Sequence, residues 1–299
     1  MRGLDAMKKK KTQPSGLKLP KKTFGRWDPP ELFGIFGDPV SHSLSPVMHN
    51  RAFELSGFRG IYLLFRVPSI TRAVSAMKTL NMKGASVTLP HKIAVMSHLD
   101  KIDSAAQRIG AVNTIHNQDG VLTGYNTDTL GAVAALTERT ALKNRRVAVV
   151  GAGGAARAIG FGIVENRGKV TILNRSVKAG EQLATDLGGG FIPLAEIQGI
   201  DCDILINTTS VGMSPDIDNT PVPKRIFHED MTVMDIIYTP RQTRLIKEAR
   251  EAGCETINGL PMFVHQGAFQ FELWTGMKAP VEAMWAAVDD ALDRENQTV

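Results

Sequence analysis

A buried apolar strand that runs directly into a glycine-rich turn and a helix constrains the fold of this chain most. Residues 146–150 read RVAVV, and GAGGA follows at 151–155. Gly151 permits a tight turn, and Gly153 lets the backbone approach a pyrophosphate that the N-terminal N–H groups of the next helix would face. Another apolar strand, 170–173, begins about 20 residues later, as a dinucleotide site requires. We predict a Rossmann-type dinucleotide-binding unit; the alternative is a purely structural glycine turn.

The residues after that second strand indicate which dinucleotide would bind. An NAD site usually has Asp or Glu here for the ribose hydroxyls, whereas this chain has Asn174, Arg175 and Ser176. No carboxylate would repel a 2′-phosphate, and a guanidinium is available to receive one. The sequence therefore favours NADP, with an ordinary exposed arginine as the alternative interpretation.

The N-terminal half of the chain alternates short apolar runs with helical patterns, which is typical of an α/β domain with a mostly parallel sheet. Ser45 is expected to cap the first helix, with Pro46 at the first helical position. The runs 112–115 and 121–125 flank a turn at 116–120, so we expect a hairpin at a sheet edge. The other predicted elements are strands at 32–36, 61–67 and 84–88 and helices at 45–57, 69–80 and 127–140.

The formal net charge of +5 is concentrated at the N-terminus. Residues 1–26 hold nine Lys or Arg and one acidic residue, whereas residues 27–299 hold 26 basic and 29 acidic residues. We therefore predict a disordered basic tail at 1–30 and no specific nucleic-acid partner. Weak binding of a polyanion by the tail is the alternative.

The sequence has no long apolar run and only two cysteines, and both features bear on cellular location and redox chemistry. No apolar run is long enough to span a membrane, and none follows the basic start as in a secretory signal, so we expect a cytoplasmic protein without a membrane partner. Cys202 and Cys254 are too few for a disulfide framework. We expect both to be packing thiols, and we expect no metal site.

Hydride transfer to a ketone leaves an alkoxide, so the dinucleotide site calls for a side chain that delivers a proton. Two segments at predicted strand ends carry suitable groups. Residues 41–46 place hydroxyls at a helix N-terminus, where a carboxylate would bind, and Thr88 and Lys92 follow a later strand. A solvated surface charge is the alternative interpretation of Lys92, and His91 is a rival donor.

Motifs spread along the chain resemble the shikimate dehydrogenase family, in that family's order, over roughly residues 31–280. The resemblance implies a substrate-binding and catalytic domain at 31–127 and 262–299 and an NADP-binding Rossmann domain at 128–261. The matching motifs are SLSP at 43–46, VTLPHK at 87–92, GAVNT at 110–114, NTD at 126–128, GAGGA at 151–155, NTTSVGM at 207–213, DIIYTP at 235–240, NGLPM at 258–262 and Gln266.

The resemblance also implies roles for single side chains. Lys92 and Asp128 would be the catalytic pair, with Lys92 favoured as proton donor; a helix N-terminal charge is the alternative for Asp128. Substrate contacts would come from Ser43, Ser45, Thr88, Asn113, Asp128, Tyr238 and Gln266. For Tyr238 and Gln266, ordinary packing or surface hydrogen bonding is the alternative interpretation. Cofactor contacts would come from Gly151, Ala152, Gly153, Gly154, Ala155, Asn174, Arg175, Ser176, Lys178, Ile236, Gly259 and Met262.

Two positions depart from the family pattern. Ser86 stands where the family commonly has Asn, which leaves the substrate range open. Ala179 stands where the family often has a second Arg, beside Lys178, so the strictness of the NADP preference stays open.

The activity that the resemblance implies is the reversible NADPH-dependent reduction of 3-dehydroshikimate to shikimate in aromatic amino-acid biosynthesis, by a monomer or homodimer. The nearest alternative is an NAD- or dual-specific quinate/shikimate dehydrogenase. A non-catalytic sensor of shikimate-like molecules is a further alternative. A sensor needs no proton donor, whereas this chain has both Lys92 and Asp128.

Overall fold

The computed structural model describes residues 29–297, so the predicted tail at 1–30 lies outside the described residues except for its last two positions. The described residues form two six-stranded sheets with helices packed against them, which confirms the predicted α/β class. Among them, no helix has both the length and the hydropathy needed to cross a membrane.

The first sheet contains β1 (Glu31–Gly37), β2 (Gly60–Arg66), β3 (Gly84–Val87), β4 (Lys101–Ile102), β5 (Thr114–Gln118) and β6 (Val121–Tyr125). Their order across the sheet is β2-β1-β3-β5-β6-β4. β1 pairs in parallel with β2 and β3, whereas β5 is antiparallel to both β3 and β6. The first three strands agree with their predicted limits to within one residue at each end.

Strands β5 and β6 form the predicted hairpin, but its turn is tighter than 116–120. Asp119 and Gly120 alone separate the strands, and both have positive φ, 52° and 89°, as a type I′ turn requires. We predicted this hairpin at the sheet edge, and that prediction is wrong, because β4 pairs with the outer side of β6. A two-residue strand has no periodicity, so the sequence does not indicate it.

The second sheet contains β7 (Arg146–Val150), β8 (Lys169–Asn174), β9 (Gly190–Pro193), β10 (Ile204–Asn207), β11 (Thr232–Asp235) and β12 (Glu255–Ile257). Every pairing is parallel, and the order is β12-β11-β10-β7-β8-β9. This is the Rossmann order, in which the chain reverses direction across the sheet between β7 and β10. Cys202 and Cys254 are buried in the core beside this sheet, in agreement with a packing role.

Helix α1 corrects the prediction for Ser45. Leu44 is the N-cap, Ser45 is the first helical residue, and no side chain caps the helix. Pro46 is tolerated in the first turn because the N–H that it lacks has no partner there. Gly57 ends the helix with φ 68°, as predicted. The helices are α1 (Ser45–Ser56), α2 (Ile70–Thr79), α3 (Ser104–Ile109), α4 (Asp128–Thr137), α5 (Gly154–Glu165), α6 (Val177–Leu187), α7 (Arg244–Glu251), α8 (Gly259–Thr275) and α9 (Val281–Gln297).

Helix α8 packs against the cores of both sheets. Leu260 and Phe271 are buried with residues of α1 and the first sheet. Met262 is buried in the core of the second sheet together with Ala132 of α4. The domain boundary that we placed at 262 therefore falls inside a single helix, and the domain limits stay a prediction.

Candidate active site

The loops at one edge of the first sheet bring together residues that are far apart in the chain. β1, β3 and β6 point the same way and end at this edge, whereas the antiparallel strand β5 begins there. Ser45 follows β1, Lys92 follows β3, Asp128 follows β6, and Asn113 precedes β5. Because ligands of open α/β sheets bind at such strand ends, this edge is the candidate substrate site.

Lys92 and Asp128 form a largely buried ion pair at this edge. The Nζ of Lys92 lies 2.5 Å from Oδ2 of Asp128, and the two side chains are 15% and 7% exposed. Asp128 is also the first residue of α4, where the helix dipole favours a negative charge. The pair has the properties of a proton donor held by a fixed carboxylate.

Asn113 supplies the second partner of that carboxylate. Its Nδ2 donates to Oδ1 of Asp128 at 2.8 Å. The side-chain oxygen Oδ1 of Asn113 accepts from the backbone N–H of Thr127 at 2.8 Å and from the hydroxyl of Thr114 at 2.7 Å. The amide of Asn113 is therefore oriented with its nitrogen toward Asp128, and both carboxylate oxygens are hydrogen-bonded, as a buried charge requires.

Hydroxyl groups line the same edge. Ser43 donates to the hydroxyl of Ser45 at 3.1 Å, and Thr88 is half-buried directly after β3. The rival proton donor His91 is buried, and its Nε2 lies 2.6 Å from the carbonyl oxygen of Val67. This contact commits one ring nitrogen of His91 to the backbone.

Tyr238 and Gln266 lie on the α8 side of the edge. The ring of Tyr238 packs against Phe263, with centroids 4.5 Å apart. Gln266 is half-buried, and its Nε2 donates to the carbonyl oxygen of Phe263 at 2.8 Å. The backbone of Gln266 closely approaches Gly131, one turn of α4 beyond Asp128. Gln266 thus packs against α4 one turn beyond Asp128, but its amide nitrogen is turned toward its own helix, and its substrate role stays a prediction.

The glycine loop after β7 has the shape of an anion cradle. Gly151 has φ +118°, and a Cβ there would lie 2.5 Å from Oγ1 of Thr208, so both conformation and space require glycine. Gly153 is exposed at the N-cap of α5, and a Cβ there would meet no atom within 4 Å. No side chain caps the N-terminal N–H groups of α5. Open space in front of free helix N–H groups fits a pyrophosphate.

The loop after β8 carries the residues predicted to select the cofactor. Asn174 is half-buried and its Nδ2 donates to the carbonyl oxygen of Ser176 at 2.9 Å, which closes the loop. Arg175, Ser176 and Lys178 are exposed. Two cations and no carboxylate at this strand end fit a phosphate on the adenosine ribose.

The glycine loop and the ion pair are in contact. A Cβ at Gly154 would lie 3.1 Å from Cβ of Lys92 and 3.7 Å from Cβ of Ala111. The start of α5 therefore packs directly on the stem of Lys92, and the candidate cofactor cradle and the candidate catalytic pair belong to one site. The glycine at 154 is what permits this approach.

Gly259 and Met262 lie in the first turn of α8, which follows the second sheet. Gly259 is the first residue of α8, and a Cβ there would overlap the carbonyl oxygen of Ile236, which follows β11. Met262 is 6% exposed and packs in the core of the second sheet. Both residues thus join the end of β11 to the start of α8, and their contact with a nicotinamide stays a prediction.

A buried carboxylate holds the loops after β10 and β11. Asp235 accepts hydrogen bonds from the side chains of Asn207 at 3.0 Å and Thr243 at 2.6 Å and from the N–H of Ile237 at 3.1 Å. Burial raises the pKa of Asp235 to about 6, although these donors oppose the shift. The motif residues Asn207 and Asp235 therefore support the site by fixing two of its loops.

Sequence reasoning missed two buried residues beside Asn113. Thr114 is 0% exposed and Gln270 is 1% exposed, and the two are hydrogen-bonded to each other. The one signal for Gln270 was a polar residue four positions after Gln266 within a predominantly apolar segment. Thr114 gives no signal beyond its place next to Asn113.

Three family models match consecutive parts of the chain. Residues 35–115 match the shikimate dehydrogenase substrate binding domain. Residues 134–258 match the model described as shikimate / quinate 5-dehydrogenase, and residues 259–288 match the shikimate 5'-dehydrogenase C-terminal domain.

Whole-chain comparisons find similar enzymes and structures. The shikimate dehydrogenase (NADP(+)) of Methanobrevibacter smithii is 44% identical over 276 residues, which cover 88% of this chain and 98% of that protein. A crystal structure of a shikimate dehydrogenase in complex with NADP+ has a TM-score of 0.83 at 41% identity and covers 88% of this chain and 96% of its own. The shikimate 5-dehydrogenase of Thermus thermophilus, solved with NADP(H) and shikimate, has a TM-score of 0.81 at 37% identity and covers 88% and 100%.

Proposed function

The chain belongs to the shikimate dehydrogenase family, and we propose that it catalyses the reversible NADPH-dependent reduction of 3-dehydroshikimate to shikimate. One observation carries this proposal above the others. The 2.5 Å ion pair of Lys92 and Asp128 lies at the substrate edge of the first sheet, and Gly154 of the cofactor loop packs on the stem of Lys92. A proton donor and a dinucleotide cradle in contact are what reduction of a ketone by a nicotinamide needs.

The residues of the second sheet fit NADP. The N–H groups at the start of α5 would bind the pyrophosphate in the open space at Gly153. Arg175 and Ser176 would hold the 2′-phosphate, with Lys178 nearby. When bound, NADPH supplies the hydride that reduces the ketone carbon.

Lys92 supplies the proton. As the ketone is reduced its oxygen becomes an alkoxide, and the ammonium of Lys92 donates the proton that converts it into a hydroxyl group. In the oxidative direction the neutral amine takes that proton back. Asp128 keeps Nζ pointed at the reacting oxygen. Proton transfer of this kind contributes on the order of 10²- to 10⁴-fold to rate.

The substrate would be oriented by the polar groups around the same edge. The hydroxyls of Ser43 and Ser45 at the N-terminus of α1 favour the ring carboxylate, because the helix dipole favours a negative charge there. Hydroxyl and amide groups would bind the ring hydroxyls. The residues assigned to these contacts are Ser43, Ser45, Thr88, Asn113, Tyr238 and Gln266.

The rival function is oxidation of quinate with NAD. Two departures from the family pattern favour this alternative. Ser86 is shorter than the Asn common in the family, and Ala179 leaves Arg175 without a second arginine. A phosphate grip by one arginine gives a weaker preference for NADP than a grip by two, because each charge-assisted hydrogen bond contributes separately.

Steady-state kinetics with two substrates and two cofactors test the proposal. We expect the highest kcat/KM for shikimate with NADP+, followed by shikimate with NAD+, and low values for quinate with either cofactor. The same enzyme preparation serves for all four assays, so protein quality cancels. Quinate with NAD+ giving the highest kcat/KM would contradict the assignment, and binding of shikimate without turnover would favour a sensor.

A further inference from the structure

A buried glutamine on α8 bridges two strands of the first sheet. Ser86 on β3 and Thr114 on β5 face each other across an antiparallel pairing. The amide of Gln270 lies between them: its Oε1 accepts from the hydroxyl of Ser86 at 2.9 Å, and its Nε2 donates to Oγ1 of Thr114 at 2.9 Å. The three side chains are between 0% and 6% exposed, so these polar groups have no alternative partner in water.

Hydrogen bonds to the side-chain oxygen of Gln270 fix the orientation of its amide. The hydroxyl of Tyr62 donates to Ser86 at 2.6 Å, which leaves the Ser86 hydroxyl to donate to Oε1 of Gln270. The Nε2 of His49 lies 3.2 Å from the same oxygen. Burial lowers the pKa of His49 to about 3, so the ring is neutral. Its buried Nδ1 has no hydrogen-bond partner, which places the ring proton on Nε2. Two donors therefore hold Oε1, and the nitrogen of Gln270 must face Thr114.

The same direction continues to the catalytic pair. Because Oγ1 of Thr114 accepts from Gln270, its hydroxyl proton is free to donate to the side-chain oxygen Oδ1 of Asn113, which lies 2.7 Å away. The nitrogen of Asn113 then donates to Oδ1 of Asp128 at 2.8 Å, while Oδ2 binds Lys92. The successive hydrogen bonds that link Tyr62 to Asp128 thus all donate toward the carboxylate, and hydrogen bonds aligned in this way strengthen one another. Thr127 also bonds both ends of the Asn113 amide, through its N–H and its hydroxyl.

We propose that Gln270 is a positioning residue for the dehydrogenase reaction. Through Thr114 it holds Asn113 with its nitrogen toward Asp128, and so fixes the carboxylate that orients Lys92. This inference rests on the proposed function, since it assigns Gln270 a task in that reaction. Gln270 touches neither Asp128 nor Lys92, and it acts only through the intervening side chains.

The pairing of Ser86 with Thr114 explains why a glutamine is needed at 270. Side chains opposite each other on antiparallel strands have Cβ atoms about 5 Å apart. Here the hydroxyls of Ser86 and Thr114 are joined through the amide of Gln270, which reaches in from α8. An asparagine at 86 is longer than serine and carries an amide N–H that can donate to Thr114 directly.

Replacing Gln270 with methionine tests the inference. Methionine keeps the length and volume of the side chain but removes the hydrogen bonds to Ser86, His49 and Thr114. We expect Gln270→Met to lower kcat about 10-fold, as displacement of a catalytic group by a fraction of an ångström does, with the Kd for NADP+ within twofold of wild type. Loss of a residue that only stabilises the fold would not lower kcat while leaving the Kd for NADP+ unchanged.

A rescue variant separates positioning from packing. Because an asparagine at 86 can take over the hydrogen bond to Thr114 once the amide at 270 is removed, we expect Ser86→Asn combined with Gln270→Ala to recover kcat to within about threefold of wild type. Ser86→Asn alone should lower kcat, because its amide overlaps that of Gln270.

Asn117 provides a matched control at the other end of β5. It is 3% exposed, donates to the carbonyl oxygen of Met82 at 2.8 Å and accepts from the N–H of Gly120 at 2.9 Å. We expect Asn117→Ala to lower Tm while kcat stays within twofold of wild type.

The outcomes distinguish a failure of the positioning role of Gln270 from a failure of the proposed function. A Gln270→Met enzyme with wild-type kcat, or with a loss no larger than that of Asn117→Ala, would overturn the positioning role alone. Failure of the double variant to recover kcat would also count against it. Wild-type protein that does not turn over shikimate with NADP+ would overturn the proposed function, and this inference with it.

Discussion

Replacing Lys92 with methionine is expected to lower kcat for shikimate oxidation by about 10²- to 10⁴-fold, the range for loss of a general acid or base. The methionine keeps the stem that packs on Gly154 but has no proton to exchange with the reacting oxygen. The Kd for NADP+, measured by fluorescence titration, should stay within about threefold of wild type, because no assigned cofactor contact is removed. An effect on kcat with little effect on cofactor binding identifies a group that acts in the transition state.

A folding measurement and one comparison variant make the Lys92 result interpretable. Methionine at 92 leaves Asp128 as a buried charge without its cation, which costs about 3 to 5 kcal/mol of stability, so circular dichroism must show a folded protein at the assay temperature. Lys92→Arg keeps the ion pair but cannot release a proton, and we expect it to be folded and at least 10²-fold slower.

The matched control is another lysine–aspartate pair in the same sheet region. Lys78 lies 2.8 Å from Asp100, with side chains 43% and 40% exposed. Exposed pairs contribute about 0 to 1 kcal/mol, so Lys78→Met should have wild-type kcat and nearly wild-type Tm. Near-normal turnover by Lys92→Met and Lys92→Arg would remove Lys92 from the mechanism.

Replacing Gly153 with valine is expected to raise the Kd for NADP+ by about 10- to 100-fold while the fold is kept. A Cβ at 153 meets no protein atom within 4 Å, and the residue has an ordinary extended backbone, φ −85° and ψ −171°. The fold should therefore lose no more than about 1 kcal/mol at this N-cap. The added methyl groups occupy the space assigned to the pyrophosphate. Overpacking costs about 1 to 3 kcal/mol, which corresponds to that change in affinity.

Gly190 is the control for Gly153. It is exposed on the edge strand β9, and a Cβ there would make an ordinary contact of 3.4 Å with Thr171. Gly190→Val should leave both Tm and the Kd for NADP+ near wild type, since β-branched residues are favoured in strands. If Gly153→Val binds NADP+ as tightly as Gly190→Val does, the dinucleotide does not lie where we place it.

The two strands that define the dinucleotide-binding unit were predictable from local pattern. β7 has the limits read from RVAVV, and the predicted strand 170–173 lies within β8. Local pattern decides such elements, because a strand buried on both faces has no competing exposed side. The strand order is the one that Rossmann folds share.

The misses have local physical causes. The sequence predicts Ser45 as an N-cap, but the helix begins one residue earlier than its sequence indicates, and the hydroxyl instead accepts from Ser43. Strand β4 escaped notice because two residues carry no pattern, and its pairing moved the hairpin away from the sheet edge. A contact between near neighbours accompanies the shift at Ser45, whereas a strand pairing moved the hairpin.

The site was predictable only in part. Strand ends located Thr88 and Lys92, but the meeting of Lys92 with Asp128, 36 residues later, came from family resemblance and not from periodicity. The bond between Ser86 and Gln270 spans 184 residues. No local pattern encodes such a pair, because it depends on how α8 returns across the first sheet.

A crystal structure of the enzyme with shikimate and NADP+ tests the central claim most directly. We predict that Nζ of Lys92 and a carboxylate oxygen of Asp128 both lie within about 3.2 Å of the same ring hydroxyl, with the nicotinamide on the opposite face of the carbon that carries it. Shikimate bound away from this edge, or a reacting hydroxyl whose partner is a group other than Lys92 or Asp128, would contradict it.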